Sequence, residues 1–182
     1  MIRRINIMGG PGCGKSTAAA YVFSSLKKEG YSIEFVDEYV KSWAYEKRVI
    51  SSFDQAYIFM QQLRKEYLVL NNDDGCIVTD SPLNVSICYA KQFGFKKWHC
   101  LQEIADEFEK EYPSINICLS RDDCEYKNSG RYQNIDEAII MDNVIKDHIV
   151  NVGLDFCSIK YNDHQGMVEW VANNLKHGAQ KH

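Results

Sequence analysis

The chain has 182 residues, 45% hydrophobic and 25% charged, with a formal net charge of −4. This balance fits one globular domain and excludes a disordered chain. The acidic charge gives no support to a protein coated in nucleic acid, although it leaves room for a local basic groove.

Ile2 to Met8 reads as a short buried strand, a glycine-rich turn follows, and Lys15 to Glu29 reads as a helix stopped by Gly30. Ser32 to Val36 alternates and forms a second strand, ending on Asp37 and Glu38. Tyr39 to Lys47 reads as a polar, aromatic helical stretch, and Phe53 to Leu70 as a long helix. A turn over 71–75 leads to a third strand, Cys76 to Thr79, which ends on Asp80. Helices are expected over 84–92 and 98–111, and a fourth strand over Ile115 to Leu119. Residues 121–133 read as a polar loop with a Ser129-Gly130 break, followed by a helix over Asn134 to Val150. Phe156 to Tyr161 is a fifth strand, Gln165 to Leu175 a closing helix, and 176–182 a frayed tail.

Strands alternating with helices imply an α/β fold with a doubly wound, five-stranded parallel sheet in a single domain, residues 1–182. Ligands of such sheets sit at the carboxyl ends of the strands. The glycine turn, Asp37, Glu38, Asp80 and Arg121 all fall at those ends. The seven cysteines are odd in number and contain no C-x-x-C pair, so they read as reduced thiols of a cytoplasmic protein. No run approaches the roughly 18 apolar residues of a membrane span, and Ile5 to Met8 is too short for a signal peptide.

Gly9-Gly10-Pro11-Gly12-Cys13-Gly14-Lys15-Ser16 matches G-x-x-x-x-G-K-[ST] between a strand and a helix, the P-loop context. Glycines let backbone amides wrap a phosphate, and the helix N-terminus adds the positive end of its dipole. The pattern predicts ATP bound at Gly9 to Thr17, with Lys15 on the β/γ-phosphates, Ser16 on Mg²⁺ and Thr17 near the α-phosphate. Cys13 reads as a small filler of the loop.

Phosphoryl transfer needs a group that orients and deprotonates the acceptor hydroxyl. Asp37 is the first candidate base and Glu38 the second, with helix capping as the plain alternative. Val78-Thr79-Asp80 is a short Walker-B-like element whose acid would hold Mg²⁺ or the acceptor. The chain has no N-K-x-D and no long hydrophobic strand ending in two acids, which disfavours GTPase switches and motor ATPases. Arg121 and Arg131 suit a small lid over about 121–133 that closes on the triphosphate and neutralises its charge. The acceptor side is expected over 39–67 and 84–100, where Lys41, Trp43 and Arg48 join Glu38 in a basic and aromatic stretch. His99 and His148 have no partner pattern and read as structural or surface residues.

These residues together resemble the P-loop kinases that act on nucleosides, nucleotides and polynucleotide ends. Asp37-Glu38-Tyr39 is similar to the Asp-Asp-Tyr of phage polynucleotide kinases, a likeness that implies Asp37 as the base. The run Phe35 to Ala44, with Thr79-Asp80-Ser81-Pro82-Leu83, resembles a phage group that includes the 5-hydroxymethyluracil DNA kinases. That likeness implies ATP and Mg²⁺ as cofactors and the hydroxymethyl group of 5-hydroxymethyluracil in DNA as acceptor. A free deoxynucleoside or its monophosphate is the alternative acceptor. A nucleotide-binding switch that transfers nothing is the alternative of another class.

Overall fold

The computed structural model describes residues 1–72, 75–121 and 135–179. Five strands, β1 (Arg4–Met8), β2 (Ile33–Val36), β3 (Cys76–Thr79), β4 (Ser114–Ser120) and β5 (Cys157–Lys160), form one sheet. Its order is β2-β3-β1-β4-β5, and every adjacent pair runs parallel. Seven helices complete the described chain: α1 (Lys15–Lys28), α2 (Lys41–Tyr45), α3 (Asp54–Leu70), α4 (Leu83–Gln92), α5 (Trp98–Glu111), α6 (Ile135–Asn151) and α7 (His164–Ala179). The doubly wound parallel sheet expected from the sequence is the one observed.

Alternation along the strands sorts the helices into two layers. Ile5, Ile7, Val78, Ile117 and Leu119 pack against α1 and α7. On the other face Ile77 meets α3, α4 and α5, while Met8 and Cys118 meet α4 and α6. With both faces covered, β1 is buried along its whole length, as a central parallel strand requires. Its neighbours β3 and β4 lie on opposite sides, so the chain switches direction across the sheet at the end of β1.

Two helical expectations are corrected. The stretch after β2 is helical only over Lys41–Tyr45, because Lys47 adopts φ 54 and ends the turn, with Arg48 N–H bonded back to Trp43 O at 3.1 Å. The expected tail is helical through Ala179, continuing α7.

Two buried polar clusters were not anticipated. Arg4 is 2% exposed at the start of β1. It donates to Tyr112 O at 2.8 Å, pairs with Glu66 at 3.5 Å and with Glu109, and lies 4.7 Å from the Phe108 ring centre. Burial pushes the Glu66 carboxyl up, against the pull of Arg4, so the charge is tolerated because its partners surround it.

The second cluster ties α4, α5 and α6 together. His148 Nδ1 lies 3.0 Å from Lys91 Nζ, and its Nε2 lies 3.2 Å from Asn84 Oδ1. Gln102 Nε2 donates to Asn84 Oδ1 at 3.2 Å and to Asp106 Oδ1 at 2.8 Å. A lysine donating to Nδ1 leaves the proton on Nε2, which donates to Asn84. Burial first, and Lys91 second, lower the His148 pKa to about 4, with Asp106 opposing.

Between about pH 4 and the ordinary histidine value near 6.5, the unfolded chain binds a proton at His148 that the folded chain refuses. The full contribution is present above that window. Stability therefore falls as pH drops through it. Thermal unfolding followed from pH 7 to pH 4 is expected to give a falling Tm, with a shallower slope in His148→Gln. Equal slopes in the two proteins would contradict this account.

Candidate active site

The turn from β1 into α1 carries the cradle. Gly14 takes the left-handed conformation, φ 85, and the helix starts at once with Lys15. A side chain there would be strained. The Lys15 ammonium donates to Gly10 O at 2.9 Å, so its charge stays inside the loop. Ser16 and Lys15 are half-buried and Thr17 is exposed. Cys13 is fully buried in the core beneath the loop. Burial pushes its thiol up, with Lys15 pulling the other way, so it offers packing and a backbone amide rather than a nucleophile.

Gly10 is required for a different reason. A Cβ built on it would meet Ala138 O of α6 at 2.5 Å and Asp142 Oδ1 at 2.8 Å. Helix α6 therefore presses on the cradle from the β4 side. Asp142 accepts from Gly10 N–H. Arg121, directly after β4, donates from Nε to Asp142 Oδ2 at 2.7 Å and from Nη2 to Pro11 O at 2.8 Å. The sequence reading did not single out Asp142. Its signal was present: Ala138, Met141, Ile145 and Ile149 mark the buried stripe of α6, and Asp142 occupies that stripe.

On the other side of the cradle, β3 delivers Asp80, which is 2% exposed. Ser16 Oγ donates to Asp80 Oδ2. Asp80 Oδ1 is buried with no hydrogen-bond partner among the described residues. A hydroxyl and an unsatisfied carboxylate oxygen side by side fit a hard cation such as Mg²⁺. Among the described residues no group of three or more His, Cys, Asp or Glu is arranged to hold a metal. A cation here would take its remaining ligands from phosphate and water.

The two acids after β2 diverge. Asp37 is exposed, and Lys65 of α3 holds both its carboxylate and, at 2.8 Å, its backbone carbonyl. Glu38 turns inward and is half-buried. Burial raises its pKa, nearby Lys15 lowers it, and Asp80 raises it again. Glu38 thus feels both charges of the cradle.

Glu38 also lines a cleft, with Tyr39, Gln62, Ser81, Ser86, Tyr89 and Phe93 among its walls. Gln62 braces the wall by accepting from Tyr39 N–H at 3.0 Å and approaching Thr79 Oγ1 at 3.4 Å. Lys41, Trp43 and Arg48 are not among the cleft's walls. Trp43 instead stacks on Tyr57, with ring centres 6.0 Å apart, and Tyr39 meets both rings edge-on. The Arg48 guanidinium lies 4.9 Å from the Trp43 ring centre, and Lys41 is exposed. Arg131 and the rest of the expected lid lie outside the described residues; Arg121 is described.

A five-stranded parallel sheet of this order, with a glycine cradle between its central strand and the next helix, defines a P-loop nucleotide-binding fold. Sequence comparison adds the family: the model of the AAA domain matches residues 4–166, and the chain belongs to that family. No curated protein matches the chain. Among solved structures it is similar to the NadR protein in complex with NR, with TM-score 0.71 and 14% identity over 91% of this chain and 50% of that one. It is also similar to NadR in complex with NAD and AMP-PNP, with TM-score 0.68 and 12% identity over 94% and 49%. The chain thus spans about half the length of these NadR structures, and likeness at this identity concerns the fold. Among the described residues no helix is long and apolar enough to cross a membrane.

Gly10→Ala is expected to force α6 off the loop, because the clash is with a backbone carbonyl. Overpacking of this kind costs about 1–3 kcal/mol. Thermal unfolding should report a lower Tm, and titration with Mg-AMP-PNP a weaker affinity. A variant as stable as the parent would remove the close-approach argument.

Proposed function

We propose that the protein is an ATP- and Mg²⁺-dependent phosphotransferase that moves the γ-phosphate to a hydroxyl of a nucleotide-type acceptor. The observation that carries this is Glu38, a carboxylate shared between the phosphate cradle and an adjoining cleft. A switch that transfers nothing has no need of a second cleft whose wall carries an acid shared with the cradle.

In this reading Lys15 and the N–H groups of Gly12 to Thr17 hold the triphosphate, Cys13 through its backbone alone, while Gly10, whose N–H goes to Asp142, and Pro11, which has no N–H, shape the start of the loop. Ser16 and Asp80 hold Mg²⁺, which supplies charge neutralisation at the transferred phosphate. Glu38 accepts the hydroxyl proton as the acceptor oxygen attacks. Its raised pKa suits a base better than that of an ordinary carboxylate. Asp37, paired with Lys65, takes a supporting role and fixes the backbone from which Glu38 projects. This reverses the order of the two acids that the family resemblance implies. Arg131 keeps the charge-neutralising role that the sequence reading gives it, while Arg121 is engaged by Asp142 and Pro11.

The aromatic and polar walls of the cleft, Tyr39, Tyr89 and Phe93 with Gln62 and Ser81, favour a nucleoside acceptor, free or as a monophosphate. The NadR structures hold NR, NAD and AMP-PNP, which supports ligands of this class without naming one. A second reading has its own observation. Tyr39 joins the cleft to the Tyr57, Trp43 and Arg48 cluster, and Tyr45 and Phe53, in the same stretch of chain, are 68% and 81% exposed. Stacked aromatics with a guanidinium suit the strand flanking an extruded base. The acceptor is then the hydroxymethyl group of 5-hydroxymethyluracil within DNA.

Glu38→Gln should lower kcat by about 10²–10⁴-fold, the usual contribution of a positioned base, while Asp37→Asn should cost far less. The wild-type pH–rate profile should fall on its acid side at a pH above the ordinary carboxylate range. A larger loss in Asp37→Asn would restore Asp37 as the base. Labelled ATP offered in parallel to deoxynucleosides, their monophosphates and hydroxymethyluracil DNA should label one acceptor class. A DNA acceptor should lose binding steeply with salt and a free nucleotide much less. Rapid ATP turnover with no acceptor present would count against transfer altogether.

A further inference from the structure

The cradle is held from behind by a pair of charges that phosphate binding itself does not explain. Asp142 is a carboxylate in the buried stripe of α6, 9% exposed. It takes the Gly10 N–H, so that amide points at α6. The same carboxylate takes Arg121 Nε, and Arg121 Nη2 returns to Pro11 O. Peptide groups on consecutive residues of the loop are thus fixed by one ion pair, one through its N–H and one through its C=O. The space is as tight as the bonding, since α6 leaves no room for a Cβ on Gly10.

We propose that Asp142 is a positioning residue that sets the entry edge of the cradle, with Arg121 as its bridging arm. Gly10 N–H is spent on Asp142, so the triphosphate is gripped by the later amides of the loop and by Lys15. Arg121 acts by holding Pro11 in register, in place of the lid arginine expected from the sequence. The inference rests on the cradle being the ATP site, and it is independent of whether phosphate is then transferred.

The sign of one substitution separates this from a simpler account. A carboxylate that merely sits near a triphosphate repels it, and neutralising it should tighten binding. A carboxylate that shapes the cradle should weaken binding when its charge is lost. The probe is Mg-AMP-PNP, titrated by calorimetry into the full chain. Asp142→Asn and Arg121→Gln are each expected to weaken binding about tenfold, the scale of one lost charge-assisted hydrogen bond. The double variant should lose no more than either single one, because both act through one pair. Unchanged or tighter binding by a folded Asp142→Asn overturns the proposal, and so do additive losses. Should Asp142→Asn fail to fold, judged by circular dichroism, Arg121→Gln decides, and parental affinity in that variant overturns the proposal. Binding is read here without turnover, so a chain that transfers no phosphate leaves this result intact. A failed latch likewise leaves the transfer reading intact.

Discussion

Between Met8 and Lys15 the chain leaves a central strand and enters a helix, and glycine occupies four of the six intervening positions. That turn must be small on both sides. Its inner surface has to admit a phosphate to its amides. Its outer surface is already taken, by the Cys13 side chain below and by α6 behind Gly10. The backbone is therefore fixed by its neighbours as well as by the Lys15 bond to Gly10 O. Burying β1 on both faces and pairing it with β3 and β4 keeps the turn where those neighbours can reach it.

Three carboxylates surround this turn, and their partners distinguish them. Asp142 faces Arg121 and is fully engaged, which suits structure. Asp80 shares one oxygen with Ser16 and leaves the other unsatisfied, which suits a cation. Glu38 has charges nearby that oppose one another, and desolvation wins, so its proton is held more tightly than usual. A buried acid with an unsatisfied oxygen costs folding free energy. The fold retains one such group, Asp80, with the desolvated Glu38 near it, on one side of the cradle where structure alone does not require them.

The sheet, its parallel sense and the place of the cradle were legible in the sequence, because glycine spacing and strand length are local signals. The strand order β2-β3-β1-β4-β5 was not, since order depends on which helices pack together. The choice between Asp37 and Glu38 was also out of reach. Adjacent residues at a strand end point to opposite sides, and which side faces the cradle depends on Lys65, a residue 28 positions away that captures Asp37. Asp142 was legible in principle as an acid within an apolar stripe. The cluster of Lys91, His148, Asn84 and Gln102 was not, because its members come from three helices and each looks ordinary alone.

The two halves of the site differ in how firmly they are held, and that difference bears on specificity. The donor half is built from β1, α1, β3 and α6, whose side chains fill the cores on both faces of the sheet. The cleft proposed for the acceptor takes buried walls from α3 and α4, but through Tyr39 it adjoins α2, a helix of five residues with none buried, and the aromatic cluster around Trp43 and Tyr57. A segment held by few buried contacts opens at low cost. Changing residues there alters what binds without disturbing the cradle. One P-loop scaffold can therefore carry acceptors as different as a free nucleoside and a base within DNA. On the proposed function, the choice of acceptor falls to the walls of the cleft and the surface around Tyr39, Trp43 and Tyr57, rather than to the motif that defines the fold.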